Sequence, residues 1–257
     1  MDFKVDKKEN LFFSIKVVCT AAVIVAVIAL LNALGSAAAS IATISVILIY
    51  IVIIVLFVLF QKLYLVACLK GNGIRVTERQ FPEVHAVYAS MCESLAIARA
   101  PQLFLMQEGG LLNAFAVRFS GKNYIAVYSD IFSLVESDME TLKFIIGHEL
   151  AHVKRNHLSK RFWTFPSSLV PFLTAAYSRH CELTCDNFGA AFVAETPYSG
   201  MLLLAAGKDL YKRVDMRDFI ETASGNRSAV VKFIGLFLGH PFIPKRLENL
   251  KANFERG

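Results

Sequence analysis

Two histidines and a glutamate are spaced so that the histidines could bind one metal ion and the glutamate could accept a proton from water on that ion. Residues 147–152 read Gly-His-Glu-Leu-Ala-His, which puts His148 and His152 four positions apart with Glu149 between them. On a helix, side chains at i and i+4 project from one face about 6 Å apart, close enough to share one zinc ion. Zinc lowers the pKa of a bound water, and a carboxylate beside the metal can accept its proton. The spacing therefore predicts one zinc ion per chain, with Glu149 as the general base.

The same three residues on a solvated helix would be an ordinary pair of surface histidines. Here, however, Ile145, Ile146, Leu150 and Val153 make the helix apolar on most of its circumference. A charged group on a buried face requires a partner or a metal, because its desolvation is otherwise costly. The apolar surroundings therefore favour the metal site.

A third protein donor must come from elsewhere, because a catalytic zinc has three protein ligands and one open position. Glu182 is the leading candidate. Asp186 follows it one helical turn later and would accept a hydrogen bond from a ligand imidazole. His180, Cys181 and Cys185 are alternative donors in the same segment.

An apolar segment over residues 11–60 precedes the site and is long enough for two spanning helices of about 20 residues each. Its one charged residue is Lys16, and Gly35-Ser36 interrupts the apolar pattern. We predict a helical hairpin over 12–34 and 37–60. A cleaved signal has a much shorter apolar core, and a buried pair in a soluble protein would be hard to cover in so short a chain.

The charge pattern predicts which way this anchor points. The turn between the two helices carries no charge, which places both ends of the hairpin and the domain that follows in the cytoplasm. The basic residues that flank the hairpin are Lys4, Lys7, Lys8 and Lys16 before or within the first helix, and Lys62, Lys70, Arg75 and Arg79 after the second.

The composition favours a lipid bilayer as the partner of the basic residues. Apolar residues make up 55% of the chain and charged residues 19%, and both values depart from soluble averages in the direction of a membrane protein. The formal net charge is +6, but no basic run interleaved with aromatics is present, so we expect no nucleic acid as partner. Five cysteines without a C-x-x-C pair indicate a reducing compartment.

The elements around the motif indicate a mainly α fold with a small antiparallel β-sheet. Ser137 and Glu140 have the form of a capping box, which predicts a helix from near Asp138 through His157. Residues 161–176 contain Pro166 and Pro171 and are predicted to be interfacial or buried between helices. Apolar periodicity and turn signals predict helices over 80–98, 179–194 and 200–213, strands over 102–107, 111–119 and 124–128, and an apolar stretch over 230–238.

Four motifs, in this order, resemble those of the HtpX-like membrane metallopeptidases, which are related to the CAAX prenyl endopeptidases. They are N-A-F-A over 113–116, H-E-L-A-H over 148–152, S-R-x-x-E-x-x-x-D over 178–186 with Cys185 where the family has Ala, and H-P at 240–241 followed by Arg246. The resemblance runs from about residue 80 to the end of the chain. It adds Arg179 and Arg246 to the candidate site residues.

The resemblance implies a gluzincin-type metallopeptidase domain, in which two histidines and Glu182 hold zinc. It further implies that His240 lies near the oxyanion, where a His or Arg can stabilise the developing charge. A helix cap for His240 and a surface salt bridge for Arg246 remain as alternatives, as does an ordinary strand end for Asn113. The edge strand that would pair with the substrate backbone is made of Asn113, Ala114, Phe115 and Ala116.

The chain departs from that family in one respect. Only residues 153–181 separate His152 from Glu182, so there is no room for the further pair of spans that HtpX-like proteins place there. The four-span topology and a large enclosed chamber like that of the CAAX protease are therefore not expected. A cytoplasmic domain resting on the membrane through residues 161–176 fits the length better.

These features predict a tail over 1–10, a transmembrane hairpin over 11–61 and a zinc metallopeptidase domain over 62–257. The expected protein is an endopeptidase of the bacterial inner membrane that cleaves membrane or misfolded proteins in quality control. Two alternatives stay open: a CAAX-type processing protease, which requires a prenyl-binding cavity, and a membrane scaffold or chaperone with structural zinc. The scaffold has no need of Glu149.

Overall fold

The computed structural model describes residues 2–34, 38–107, 114–135, 137–195, 197–225 and 228–254. Two long helices come first, α1 (Lys7–Leu34) and α2 (Ala38–Asn72). The strands are β1 (Ile74–Arg75), β2 (Gln102–Met106), β3 (Ala114–Phe119) and β4 (Lys122–Tyr128). The other helices are α3 (Pro82–Ser94), α4 (Ser129–Phe132), α5 (Met139–Lys154), α6 (His157–Trp163), α7 (Leu173–Ala191), α8 (Ser199–Ala206), α9 (Met216–Gly225), α10 (Ala229–Gly235) and α11 (Ile243–Phe254). The mainly α class is confirmed.

Helices α1 and α2 contain the two segments that are long and apolar enough to cross a membrane, Lys7–Ala33 and Thr43–Asn72. Within the most apolar part of each, 11% of the first and none of the second is buried in the protein. The core helices of a soluble protein would be mostly buried, so this exposure suggests membrane anchoring. Helix α2 runs twelve residues beyond the predicted end at 60, and the predicted break at Gly35-Ser36 lies outside the described residues.

The sheet is mixed, so the prediction of an antiparallel sheet was wrong. Its strand order is β1-β2-β4-β3, with β4 parallel to β2 and antiparallel to β3. The predicted hairpin between β3 and β4 is present, and its turn residues Ser120 and Gly121 both have positive φ. Strand β4 lies between β2 and β3 and is the most buried strand, with Ile125, Ala126 and Val127 fully inaccessible. The hairpin thereby leaves β3 at the edge of the described sheet.

Helix α5, which carries the histidine motif, begins where predicted but ends earlier than predicted. Its N-cap is Asp138, not Ser137, because the Asp138 carboxylate accepts a hydrogen bond from the backbone N–H of Thr141 at 2.9 Å. The helix ends at Lys154 and does not continue through His157. Asn156 adopts a left-handed conformation with φ of 56°, which asparagine tolerates better than most residues, and α6 begins immediately afterwards in a new direction.

Two glycines let α5 and α7 cross at close range. A Cβ atom on Gly147 would lie 2.7 Å from Cδ2 of Phe192 and 3.1 Å from Cα of Gly189. A Cβ atom on Gly189 would lie 2.6 Å from the carbonyl oxygen of Phe144. Any larger residue at either position would push the helices apart. The crossing therefore sets the distance between the side chains that follow Gly147 on α5 and those that precede Gly189 on α7.

The cap of α5 leads to a prediction about stability. Replacing Asp138 by alanine should lower the free energy of unfolding by about 1–2 kcal/mol, because the helix loses its N-cap acceptor. Asp138 also accepts a hydrogen bond from the Tyr211 hydroxyl at 2.6 Å. Chemical denaturation of the detergent-solubilised protein measures the change. As a control, Ser228→Ala removes the cap of the exposed helix α10 and should have a smaller effect; equal effects would contradict the prediction.

The same residue predicts a pH dependence. Burial alone would raise the pKa of Asp138, but hydrogen bonds from Tyr211 and Thr141 outweigh it and hold the pKa below its usual 3.8. A lowered folded-state pKa contributes stability above the unfolded value and loses it as the pH falls through the folded value. The stability difference between wild type and Asp138→Ala should therefore be complete above about pH 5 and shrink below pH 3.8.

Candidate metal centre

The predicted histidine pair and the predicted third donor face each other across the crossing of α5 and α7. Nε2 of His148 lies 3.4 Å from Oε2 of Glu182, and Nε2 of His152 lies 3.5 Å from Oε1 of the same carboxylate. The two imidazole rings have centroids 5.1 Å apart. Glu182 itself is 4% exposed. Two imidazoles and one carboxylate thus converge on one small volume, which is the donor set of many catalytic zinc sites.

Cys185 lies close to the same histidines. One ligand atom each from His148, His152 and Cys185 fall within 4.8 Å of one another, so these three residues form a possible metal site. The Cys185 sulfur lies 3.7 Å from Nδ1 of His157, which in turn lies 3.0 Å from Nδ1 of His152. Cys185 therefore approaches the Nδ1 side of His152, whereas Glu182 approaches its Nε2 side. Burial raises the pKa of the Cys185 thiol well above its usual value.

The other two alternative donors have different surroundings. Nδ1 of His180 lies 2.8 Å from Oδ1 of Asp6, and the imidazole stacks on Phe12 of α1. Cys181 lines the cleft beside Glu182, and burial raises the pKa of its thiol to about 12. Among the described residues, the group of ligand atoms within 4.8 Å of one another is made of His148, His152 and Cys185, so it contains neither of these two residues, nor Glu182.

Asp186 and Arg246 hold His148 from behind. Nδ1 of His148 lies 3.0 Å from Oδ1 of Asp186, which is fully buried. Arg246 of α11 donates two hydrogen bonds to that carboxylate, from Nε to Oδ2 at 2.7 Å and from Nη2 to Oδ1 at 2.6 Å. Arg246 is 6% exposed, so its ion pair is not on the surface. A bidentate guanidinium fixes the carboxylate plane, and the carboxylate in turn fixes the ring of His148.

The charges of the centre suit a cation between the imidazoles. Burial opposes ionisation of Glu182, but contacts with His148, His152 and His240 hold its pKa well below the usual 4.5. Burial likewise disfavours a charged His148, yet Asp186 and Glu182 raise its pKa to about 10. A proton on His148, together with the charge of Arg246, would balance the two buried carboxylates. A divalent ion would supply the same charge, and its binding would displace that proton.

Glu149 lies in a cleft of about 350 Å³ that also contains both histidines, Glu182 and His240. It is 7% exposed. A larger cavity of about 580 Å³ lies beside Arg99, Arg118 and Lys122, but His, Cys, Asp and Glu are absent from its described lining. The smaller cleft is therefore the one with hydrolytic chemistry.

The edge strand runs along this cleft. Ala114, Phe115 and Ala116 of β3 line it, whereas Asn113 lies outside the described residues. Strand β3 pairs with β4 on one side and is the last strand of the described sheet on the other. Within the described sheet, no strand pairs with the outer edge of β3.

His240 and Arg179 have different positions relative to the centre. Nδ1 of His240 lies 2.9 Å from Oε2 of Glu182, although 70% of the His240 side chain is exposed. Arg179 does not reach the imidazoles. Its Nη1 atom donates hydrogen bonds to the carbonyls of Gly235, Leu236 and Leu238, so it holds the segment that leads to His240.

His157 contacts the site but was not among the predicted site residues. Five positions after His152, a continuous helix would point it about 140° away from that residue. The left-handed Asn156 ends α5 and turns His157 back, so that its Nδ1 atom lies 3.0 Å from Nδ1 of His152. An Asn-His pair directly after a metal-binding helix was the signal available in the sequence.

Comparison with protein families supports the enzymatic class. Residues 78–166 match the model of Peptidase family M48, whose members are metallopeptidases. The matched region extends from before α3 to just beyond α6 and contains His148, Glu149 and His152. It ends before Glu182. A search of curated proteins finds no match.

Proposed function

We propose, with the M48 match as premise, that this protein is a membrane-anchored zinc endopeptidase of the HtpX-like type. The observation that carries the proposal is the convergence of two imidazole Nε2 atoms and the Glu182 carboxylate beside Glu149 in one cleft. A zinc ion would be held by His148, His152 and Glu182, and would supply Lewis-acid polarisation of water and carbonyl.

The protein's own residues account for the remaining steps of hydrolysis. The Glu149 carboxylate accepts a proton from the attacking water and then returns it to the amide nitrogen that leaves. His240, at the open side of Glu182, stabilises the negative charge that develops on the carbonyl oxygen. An extended substrate pairs with the outer edge of β3, so that backbone hydrogen bonds bind it without requiring a particular sequence. Asp186 and Arg246 keep His148 in its orientation.

The surroundings of the cleft support a substrate at the membrane. The cleft lining includes Arg161 and Thr174, and Nζ of Lys16 on α1 donates a hydrogen bond to the Thr174 hydroxyl at 2.8 Å. The cleft therefore opens next to the anchor. Four large apolar side chains in the adjoining segment are 55–75% exposed, which suits contact with lipid: Phe162, Trp163, Phe165 and Leu169. We place the domain on the cytoplasmic face of a bacterial inner membrane, because basic residues flank both ends of the anchor.

Metal removal tests the proposal. The detergent-solubilised protein should contain one zinc per chain, lose cleavage of an unfolded membrane protein after treatment with a zinc chelator, and regain it on addition of one equivalent of zinc. Cleavage that persists in the demonstrably metal-free protein would contradict the proposal. Bound zinc without any cleavage would support the scaffold, and cleavage restricted to prenylated substrates would support the CAAX-type enzyme.

A further inference from the structure

We propose that Glu9 and His157 are positioning residues for the metal ligand His152, and that the first membrane helix is therefore a working part of the active site. The inference rests on the proposed function in taking His152 as a ligand. It goes beyond it by assigning a role to residues of the anchor, which lie far from the histidine motif in sequence.

Three side chains form a continuous row behind the centre. Nδ1 of His152 lies 3.0 Å from Nδ1 of His157, and Nε2 of His157 lies 3.2 Å from Oε1 of Glu9. Arg155 closes the row, because its Nε and Nη2 atoms donate to the same Glu9 oxygen at 3.0 and 2.8 Å. Glu9 lies in the first turn of α1, so the row joins the anchor directly to α5.

The protonation pattern of the row is consistent with metal binding at its open end. If His152 binds the ion through Nε2, its neutral ring carries the hydrogen on Nδ1 and donates it to Nδ1 of His157. His157 must then carry its own hydrogen on Nε2, which faces Glu9. Each ring thus has one defined tautomer, and the row ends in a carboxylate that can only accept.

Glu9 and His157 are both buried, and this burial favours a contact between them. Glu9 is fully buried and His157 is 6% exposed. Among the described residues, neither Oε2 of Glu9 nor Nε2 of His157 has a hydrogen-bond partner, although Nε2 of His157 lies 3.2 Å from Oε1 of Glu9. Leaving two buried polar atoms unsatisfied is costly, and a hydrogen bond between them would satisfy both. The two groups therefore hold each other in place.

The row parallels the arrangement behind the other histidine. Nδ1 of His148 meets Asp186, and Arg246 clamps that carboxylate. Nδ1 of His152 meets His157, then Glu9, and Arg155 clamps that carboxylate. In both cases the ring nitrogen that does not face Glu182 is fixed by a chain that ends in a carboxylate and a guanidinium. Outer partners of this kind orient ligand imidazoles and increase their affinity for metal.

Asp6 and Lys16 also dock α1 and the residues before it on α7. Asp6 provides a matched control, because its side chain pairs with His180 and not with His157. Asp6 lies 2.8 Å from Nδ1 of His180, and its backbone N–H donates to the Thr184 hydroxyl at 3.0 Å. Lys16, which follows Glu9 in the sequence, donates a hydrogen bond to the Thr174 hydroxyl. Asp6→Asn removes one charge from the same docked segment but leaves Glu9, His157 and His152 unchanged.

The test measures metal affinity, by competition with a chromophoric chelator, and the visible ligand-field spectrum of the Co(II)-substituted protein. Glu9→Ala and His157→Ala should each weaken Co(II) and Zn(II) binding by about 10–100-fold and alter the spectrum. His157→Gln should recover most of the affinity, because its amide oxygen can accept from His152 and its NH₂ can donate to Glu9. Asp6→Asn should lower thermal stability while metal affinity and spectrum stay at wild-type values.

Three results would overturn the inference. In the first, Glu9→Ala binds the metal as tightly as wild type does. In the second, His157→Gln and His157→Ala have equal metal affinities. In the third, Asp6→Asn loses as much metal affinity as Glu9→Ala does. The last result would mean that the segment acts only by docking α1. A wild-type protein that takes up no Co(II) or Zn(II) would overturn the proposed function itself, and so is distinguishable from these three.

Discussion

Glu149→Gln is expected to lower the rate of peptide-bond cleavage by about 100- to 10,000-fold and to leave the zinc content unchanged. The glutamine side chain has nearly the same size but cannot accept a proton from the attacking water. Glu149 lies in the cleft with both histidines, yet Glu182 is the carboxylate that faces their Nε2 atoms. Removing the charge of Glu149 should therefore remove the base without removing a ligand. Cleavage of an unfolded membrane protein and zinc analysis of the same preparation measure the two effects.

A matched substitution on the same helix controls for the loss of a carboxylate. Glu140 lies in the first turn of α5, pairs with Lys143, and accepts a hydrogen bond from the backbone N–H of Ala194. Glu140→Gln should leave cleavage within a few-fold of wild type. A Glu149→Gln protein that contains one zinc per chain and cleaves at the wild-type rate would contradict the mechanism. A protein that has lost its zinc would show instead that Glu149 is a ligand or supports one.

Local patterns in the sequence predicted the elements better than their ends. The apolar periodicity of residues 80–98 and the turn at Ser120-Gly121 correspond to α3 and to the hairpin of β3 and β4. The end of α5 was missed because a single residue in the left-handed region, Asn156, interrupts an otherwise helical pattern. The apolar content of the sequence does not reveal such a break. The break depends on the backbone conformation of one residue, which tertiary packing around His157 stabilises.

The arrangement of the strands depended on tertiary packing. A hairpin pattern predicts that β3 and β4 pair, but it does not predict on which side of β4 the earlier strand β2 lies. That choice depends on tertiary packing, because Ile125 and Val127 are fully inaccessible and lie in one hydrophobic cluster with Leu103 of β2. The result is a parallel pair within a small sheet and an edge position for β3.

The centre itself was only partly accessible to reasoning from sequence. His148, Glu149 and His152 lie within five residues on one helix, so their spacing alone brings them together. The approach of Glu182 depends on the glycine crossing of α5 and α7, which spacing does not reveal. Glu9 contacts both His157 and Arg155, and Arg155 lies 146 positions after it in the chain. Local spacing cannot predict a contact between residues so far apart.

The first ten residues also show how a segment that reads as a polar tail can belong to the domain. Phe3 packs against Phe188 and Phe192 with ring centroids 5.1 and 5.3 Å apart. Lys4 donates to the backbone carbonyl of Asn253 at 2.7 Å. Residues 1–10 were predicted to form a tail, and contacts with distant parts of the chain hold the described part of this segment against the protein.

Glu182→Gln is expected to weaken zinc binding by more than about 100-fold, beyond the effect of losing an outer partner of a ligand. Both oxygens of the Glu182 carboxylate face Nε2 atoms of the histidine pair, at 3.4 and 3.5 Å. A neutral amide is a poor zinc ligand and cannot balance the charge of the ion. Metal competition measures the affinity, and circular dichroism checks that the helices remain folded.

Cys185→Ala distinguishes the two candidate third ligands. Cys185 is fully buried on the Nδ1 side of His152, so its removal should leave zinc affinity within a few-fold of wild type. The Co(II)-substituted wild type should correspondingly lack the intense near-ultraviolet band of a sulfur-to-cobalt charge transfer. The opposite result would be a wild type that shows this band, a Cys185→Ala protein that loses both the band and the metal, and a Glu182→Gln protein that keeps the metal. That result would identify the thiolate as the ligand. Glu182 would in that case serve as a charged neighbour of the histidines, and the centre would differ from a two-histidine, one-glutamate site.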